Sequence, residues 1–454
     1  MEYTIWQENV ASTPQSLAPS TVARYAQAIM MKINTITAAH CARKTVLLRA
    51  DFNVPLTRTS TGTQVKDDRR LQRAIPTIQF LIKEKARIVL MSHLGRPKNS
   101  DEKEFSLAPI ATYFREKLHI PMQFVPDTTG SSAQEAVKKL PEGGVLLLEN
   151  LRFFPEEKQN DEQFSRSLAS LAEIYVNEAF STCHRAHASV VGITKYLPSF
   201  AGLALTEEVT ALSSLLDHPQ RPFVVVLGGA KISDKVAALK NLSSIADIIL
   251  IGGAAANNFL KAAGFEIYRS RTEENTAGGA EDKDYTKVAR AILNEHKTDR
   301  VLKDGYIPLP KIIFPIDVVA ASTIDETESD AIQTIDLTHD MRDADEKVPL
   351  SYFDIGPKTR KLYSALLKEA GTIFWNGPMG VWENPLFTTG TRSVAQAIAR
   401  NTGTTVIGGG DTIAAAHSLH TEHKYKYVSA AGGAALEFLG GSKLPGLQPL
   451  LAQL

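Results

Sequence analysis

The chain has 454 residues, 43% apolar and 22% charged, with 50 basic residues balancing 50 acidic ones. That length allows two or three domains with cores of their own, and neutral overall charge gives no electrostatic footprint for nucleic acid or an anionic membrane. Two cysteines, Cys41 and Cys183, are too few for a disulfide framework and fit a reducing, cytoplasmic setting; no apolar run approaches the roughly 18 residues of a membrane span.

Residues 1–38 show no strong apolar period, and 11–20 is polar with two prolines. No basic segment precedes an apolar core, and Glu2 and Glu8 come before the first arginine, Arg24, which argues against a secretory signal or transit peptide. A poorly ordered extension is expected, or a helix over Val22–Met30 docked on the surface. Met30 and Met31 also permit a later translation start.

From Lys44 short apolar runs alternate with amphipathic stretches. Val46-Leu47-Leu48 leads into Arg49, Asp51, Phe52 and Asn53; Asp68 to Lys85 then reads as a helix, with Leu71, Ile75, Ile78 and Ile82 at helical spacing. Ile88 to Met91 leads into His93, Leu94, Gly95 and Arg96, and a helix over Leu107–Leu118 follows. Val145 to Leu148 leads into Glu149, Asn150 and Arg152; after a helix over Asp161–Ala172, Ile174-Tyr175-Val176 leads to Asn177, His184, Arg185 and His187. The segment Leu197–Gly202 marks a domain junction, and Leu205–Leu216 reads as a rigid connecting helix closed by His218-Pro219.

Beyond Pro222 most runs end in glycine. Val224–Leu227 precedes Gly228-Gly229, Ile248–Ile251 precedes Gly252-Gly253, and Phe374-Trp375 precedes Asn376-Gly377-Pro378. Thr405–Ile407 precedes Gly408-Gly409-Gly410-Asp411, and Tyr427-Val428 leads toward Gly432-Gly433. Ile312–Phe314 before Asp317 is read as another strand of this kind, and acidic 323–346 as a surface excursion or hairpin. Strands alternating with helices imply parallel sheets with right-handed crossovers. The expected fold is α/β: two doubly wound parallel-sheet (Rossmann-like) domains joined by a hinge helix, spanning 39–204 and 205–440, with 441–454 returning to the first domain.

Open parallel sheets place their sites at the carboxyl ends of strands. In the first half those ends carry Arg49, Arg96, Arg152 and Arg185, with Arg70 opening a helix. Each alone reads as a solvated charge; together they suit bidentate binding of a small phosphorylated acid. Asp51 among these cations either pairs an arginine or accepts a hydrogen bond from a substrate hydroxyl. Cys183, His184 and His187 are too cramped for a zinc site.

The second half has neither a P-loop nor a dinucleotide fingerprint. Gly408 to Thr412 leading into a helix over Ile413–Leu419 would offer backbone N–H groups to phosphate. Asp411 is placed to hold magnesium riding on the nucleotide, or to act as a plain N-cap. Lys231 and Lys235, four apart, are expected on one face of a helix opening after Gly229.

At these residues the chain resembles the phosphoglycerate kinase family. The resemblance runs from about Lys44 to Gly446 and rests on Arg49–Pro55, Ser92–Pro97, Glu149–Arg152, His184–His187, Leu227–Lys231, Trp375–Val381 and Gly408–Thr412. It implies Mg2+-dependent phosphoryl exchange between 1,3-bisphosphoglycerate with ADP and 3-phosphoglycerate with ATP, in a monomer acting on small molecules, without nucleic acid or membrane. It implies Arg96, Arg152 and Arg185 on the 3-phosphate, and Asp51, Phe52, Asn53, His93, Leu94 and Gly95 around the rest of that substrate. Arg70 and Lys231 would be catalytic. Lys231, Lys235, Gly252, Gly253, Glu383, Gly409, Gly410, Asp411 and Thr412 would address the nucleotide, with Asp411 meeting the metal.

Three segments depart from the family pattern: Glu178 and Ser181 replace its Asp and Gly, Ala254 its third glycine, and Ala430-Ala431 its Thr-Gly. A methyl group at Ala431 is expected to crowd the phosphoryl path or restrict φ, with activity retained at a reduced turnover. A non-catalytic nucleotide-binding relative is the main rival reading, and a dinucleotide-dependent dehydrogenase a distant third.

Overall fold

The computed structural model describes residues 33–59, 62–273, 284–301, 309–338 and 349–451. The Val22–Met30 helix lies outside them. Two six-stranded sheets organise the chain. The first holds β1 (Thr45–Arg49), β2 (Arg87–Met91), β3 (Met122–Phe124), β4 (Val145–Leu147), β5 (Ile174–Asn177) and β6 (Ser199–Ala201) in the order β3-β4-β2-β1-β5-β6, all neighbours parallel. The second holds β7 (Phe223–Leu227), β8 (Ile248–Ile251), β9 (Ile312–Ile313), β10 (Thr372–Asn376), β11 (Thr404–Gly408) and β12 (Tyr427–Ser429) in the order β9-β8-β7-β10-β11-β12, again all parallel. In each sheet the chain starts at the centre, completes one side and returns to build the other; in the first sheet β3 takes the edge before β4 fills the place between it and β2. The reversal falls between β1 and β5, and between β7 and β10, and crevices at such reversals are where ligands bind.

The strands are apolar without interruption because both faces are covered. Alternation then sorts each strand into two layers. Val46, Leu48, Ile88, Leu90 and Val176 enter one core of the first domain, while Leu47, Val89, Met91 and Tyr175 enter the other. In the second domain Val225, Ile249, Phe374 and Val406 face one layer, and Val224, Val226, Leu250, Trp375 and Ile407 the opposite one.

The helices that position the site are α1 (Arg69–Lys83), α2 (Leu203–Leu216), α3 (Val236–Ile245), α4 (Gly410–Ser418) and α5 (Gly433–Leu439). Helix α2 starts two residues earlier than its apolar pattern indicates, because Gly202 is its N-cap and the Glu178 carboxylate accepts the Ala204 N–H at 3.1 Å. It ends at Leu216, and His218 turns the chain with φ 57° before Pro219. Near the end of the chain, Leu451 forms an antiparallel bridge with Ile33, and the Gly446 N–H donates to the Cys183 carbonyl at 2.8 Å.

Two readings of the pattern need correction. The Ile312–Phe314 run supplies only a two-residue edge strand, and Asp317 belongs to a separate antiparallel sheet in which 317–321 is flanked by 333–336 and 351–355. Asp317 serves structure there: its carboxylate accepts the Lys358 and Thr359 N–H groups at 2.8 and 2.7 Å, capping the helix Pro357–Lys368. Lys231 does not share a helix face with Lys235. Gly229 has φ 87°, the chain stays irregular through Ile232, and α3 begins only at Val236 after a short 3-10 turn.

Candidate active site

At the end of β1, Arg49 is almost wholly buried and looks inward. Its guanidinium donates to Ser189 Oγ at 3.0 Å, to the Ala50 carbonyl, and to His93 Nδ1 at 3.0 Å. Arginine has only donors, so Nδ1 of His93 is an acceptor and the ring proton sits on Nε2. Burial and then the charge of Arg49 push the His93 pKa well below its ordinary value, keeping the ring neutral. Ser189 is anchored in turn by Glu157, which accepts its N–H at 2.9 Å and its hydroxyl at 2.6 Å. Arg49 therefore fixes the His93 tautomer from behind.

Asp51 accepts from Arg70 at 2.8 Å and from the Ser181 hydroxyl, and takes the Asn53 N–H at 3.1 Å. Burial opposes ionisation, but the Arg70 charge and the Ser181 hydroxyl prevail and hold the carboxyl below the usual range. Asn53 Oδ1 accepts the Gly95 N–H at 2.9 Å, and Gly95, with φ 60°, directs its carbonyl to Arg152. Phe52 is fully buried against Phe114, and Leu94 is held at both backbone groups by the Asn150 amide, so these two shape the site from within the core.

Arg152 sits among like charges. Burial, then the neighbouring Arg185 and Arg49 and also Arg96, lower its pKa to about 10. An arginine stays charged regardless; the shift reflects burial first and the crowding of like charges second. Arg185 donates through Nε to His184 Nε2 at 3.0 Å, and burial with the Arg185 charge pushes His184 down to about 4. Among the described residues no group of three or more His, Cys, Asp or Glu could hold a metal.

In the second domain a cavity of about 640 Å³ opens at the strand ends, with Lys231, Lys235, Asn376, Gly409, Gly410 and Asp411 on its walls. Lys235 is buried with Nζ donating to the Lys231 carbonyl at 3.0 Å; burial depresses its pKa, against the pull of Asp234, Asp411 and Glu273. Lys231 itself is exposed. Helix α4 starts at Gly410, not Ile413, because Gly409 with φ 94° turns the chain straight out of β11. The Ile413 N–H bonds to the Gly409 carbonyl at 3.0 Å, leaving the N–H groups of Gly410, Asp411 and Thr412 ahead of the first helical bond. A Cβ on Gly410 would meet nothing within 4 Å, so the approach is open. Thr412 differs from its neighbours: it is fully buried, and its hydroxyl accepts the Gly377 N–H at 2.6 Å.

Gly252 and Gly253 make a tight crossing. A Cβ on Gly252 would stand 2.5 Å from Met379 Sδ, and one on Gly253 2.5 Å from the Gly229 nitrogen. Glu383 borders a different cavity, of about 670 Å³, with Ile324, Glu326 and Asn384. The structure thus gathers the two lysines, the glycine turn and Asp411 into one cavity, and sets Glu383 in another.

Between the domains, Asp51, Arg70 and Ser181 face Ala430 and Ala431 across a crevice of about 30 Å³. Ala431 is not among the residues with positive φ; the left-handed residue here is Gly432, φ 58°. The expected restriction of φ at Ala431 is therefore absent, and its methyl joins the apolar cluster that includes Phe180 and Phe438. Sequence reasoning did not assign Arg73, Glu208 or Tyr427, which also meet at this crossing. The available signal was Arg73, one turn past Arg70 on α1.

Two α/β domains, one ending its strands in crowded arginines and the other in glycine turns and a helix N-terminus, define a two-domain α/β protein of the transferase class. The chain belongs to the phosphoglycerate kinase family, whose model, described as "Phosphoglycerate kinase", matches residues 36–442. It is 42% identical over 420 residues to a phosphoglycerate kinase of Pseudothermotoga lettingae, covering 92% of this chain and 99% of that protein. The same identity and the same coverage hold for that of Herpetosiphon aurantiacus. Among solved structures it is similar to phosphoglycerate kinase from Coxiella burnetii (TM-score 0.75, 38% identity, 90% of this chain and 96% of that one). The enzyme from Pyrococcus horikoshii gives a TM-score of 0.73 at 31% identity, with the same shares covered. No helix among the described residues is long and apolar enough to cross a membrane.

Proposed function

We propose that the protein catalyses reversible phosphoryl transfer between 1,3-bisphosphoglycerate with ADP and 3-phosphoglycerate with ATP, as a cytoplasmic monomer. The observation that carries this reading is the crowding of Arg96, Arg152 and Arg185 at neighbouring strand ends, a repulsion that a bound anion would relieve. In this reading those arginines take the 3-phosphate, and Asp51, oriented by Arg70 and Ser181, accepts the substrate hydroxyl. Neutral His93 donates through Nε2 to a neighbouring oxygen, while Asn53 and the Gly95 turn complete the wall. The domain limits proposed are 39–204 and 205–440, with 441–454 returning to the first.

On the other side the nucleotide phosphates meet the free N–H groups of Gly410 and Asp411 and the charge of Lys235. Gly409 supplies the turn that aims these N–H groups, and Thr412 holds the loop through Gly377. Asp411, exposed in the first turn of α4, offers a hard oxygen donor that suits Mg2+ held mainly by phosphates and water. When bound, the ion would neutralise phosphate charge. Gly252 and Gly253 keep strand ends close beneath the base, and Glu383 is proposed for the ribose once the two cavities are bridged by ligand.

The acceptor is a carboxylate, already ionised near neutrality, so no general base is required. Catalysis reduces to positioning and to cancelling charge on the transferring group by Arg70 from one domain and Lys231 from the other. Closure about α2 would bring them together and exclude water from the acyl phosphate. The test is a coupled assay with 3-phosphoglycerate and Mg-ATP on the wild type, Arg70→Ala and Lys231→Ala. Turnover in the wild type that collapses in both variants supports the reading; no turnover with ATP still bound favours a binding-only relative.

A further inference from the structure

Helix α1 carries a second arginine one turn beyond Arg70, and it reaches the other domain. Arg73 donates to the Val428 carbonyl at 2.8 Å, to Glu208 Oε2 at 2.9 Å and to the Tyr427 hydroxyl. Its guanidinium carbon lies 5.3 Å from the centroid of the Tyr427 ring, within cation–π range. The Tyr427 hydroxyl donates to the same Glu208 oxygen at 3.0 Å. Glu208 sits on α2 and is 2% exposed. Burial raises its pKa, and Arg73 is the largest influence in the other direction. A first-domain helix, the connector and a second-domain strand are thus tied at one point.

Strand β12 runs from that point directly into 430–433, and Ala430 and Ala431 wall the crevice opposite Asp51 and Arg70. Arg70 and Arg73 ride on the same rigid helix, so a shift at one is passed to the other. An exposed ion pair would be worth little, but here the carboxylate is buried and loses its compensating charge if the arginine is removed.

We propose that Arg73 is a positioning residue for phosphoryl transfer. It fastens the helix presenting Arg70 to the strand delivering the 430–433 loop, and so sets the gap the phosphoryl group must cross. This rests on the activity proposed above.

The test is steady-state kinetics in both substrates on Arg73→Met, Arg73→Lys and Tyr427→Phe, assayed below their melting temperatures. In Arg73→Met kcat is expected to fall roughly tenfold or more while both KM values stay within about twofold, since Arg73 holds neither substrate and the loss is one of alignment. Arg73→Lys should recover part of kcat, and Tyr427→Phe should lose less than Arg73→Met. Because Arg73→Met strands Glu208, Arg73→Met/Glu208→Gln is run beside it. A kcat restored in the double variant traces the loss to the stranded charge and overturns the proposal, as does a lowered melting temperature with kcat intact. Should the wild type itself not turn over, the activity reading has failed, and small-angle scattering of the free proteins decides the clamp. A radius of gyration changed in Arg73→Met then supports it, and an unchanged one overturns it.

Discussion

Glu178 follows β5 and sits under the hinge helix, where it makes stability depend on pH. Its Oε1 accepts from Thr77 Oγ1 at 2.6 Å and from the Ala204 N–H at 3.1 Å, while its buried Oε2 has no partner. Oε2 is pressed against Gly202, where a Cβ would stand 1.7 Å away. Burial, only partly offset by Thr77 and the helix N–H groups, raises the carboxyl from 4.5 to about 7. The unfolded chain releases this proton near 4.5 and the native chain near 7, so the folded state binds more protons in between. Stability is then full below about pH 4.5 and declines as pH rises through 7, by about 3 kcal/mol in total. Glu178→Gln imitates the protonated acid and removes the titration. Urea unfolding of both proteins at pH 5 and pH 8 is the assay. The variant should gain roughly 2 to 3 kcal/mol on the wild type between the two pH values. Asp354, raised to about 7 chiefly by burial, titrates alike in both proteins and cancels. An identical difference at pH 5 and pH 8 would refute the assignment.

Arg152→Met should raise KM for 3-phosphoglycerate on the order of a hundredfold, about 3 kcal/mol of lost charge-assisted binding. It should also raise the melting temperature of the free protein by relieving the crowding of Arg185 and Arg49, a gain that added inorganic phosphate erases. Gly410→Ala meets open space and should leave the melting temperature unchanged while weakening Mg-ATP, read as KM. Gly253→Ala places a Cβ against backbone at φ 61° and should cost several degrees in the same thermal scan. Ala431→Gly should lower stability by about 0.5 to 1 kcal/mol through a lost buried methyl and a freer backbone, with turnover unchanged; a rise in kcat would show that the methyl does obstruct transfer.

The long apolar strands were legible because four or more residues buried on both faces leave an unbroken run. The three-residue β3 and β6 were not, since Met122-Gln123-Phe124 and Ser199-Phe200-Ala201 have no pattern distinct from loop. Lys231 was misplaced for a local reason. A glycine after a strand was read as an immediate helix start, whereas Gly229 begins a loop that ends only at α3. The phosphate turn at Gly408–Thr412 was readable from its glycines, but the burial of Thr412 depends on Gly377, 35 positions earlier in the chain. Glu178 and Glu208 look like ordinary polar positions because nothing local tells a solvated carboxylate from a buried one. Arg73 was hidden likewise, as a charge on a helix that also needs an outer face.

The apolar cluster around α2 has a consequence for how the molecule melts. Leu205, Val209, Leu212 and Leu216 of the connector pack with Phe223 and Val225 of the second sheet, with Phe180 and Ala201 of the first domain, and with Leu444, Leu447 and Leu450. Phe180 meets Phe438 of α5 edge-on at 6.0 Å. Unfolding either half would expose apolar surface on the other, so heating should give one calorimetric transition whose van't Hoff and calorimetric enthalpies agree. A common apolar seam denies the two domains separate lives: built as two bodies, the molecule comes apart as one.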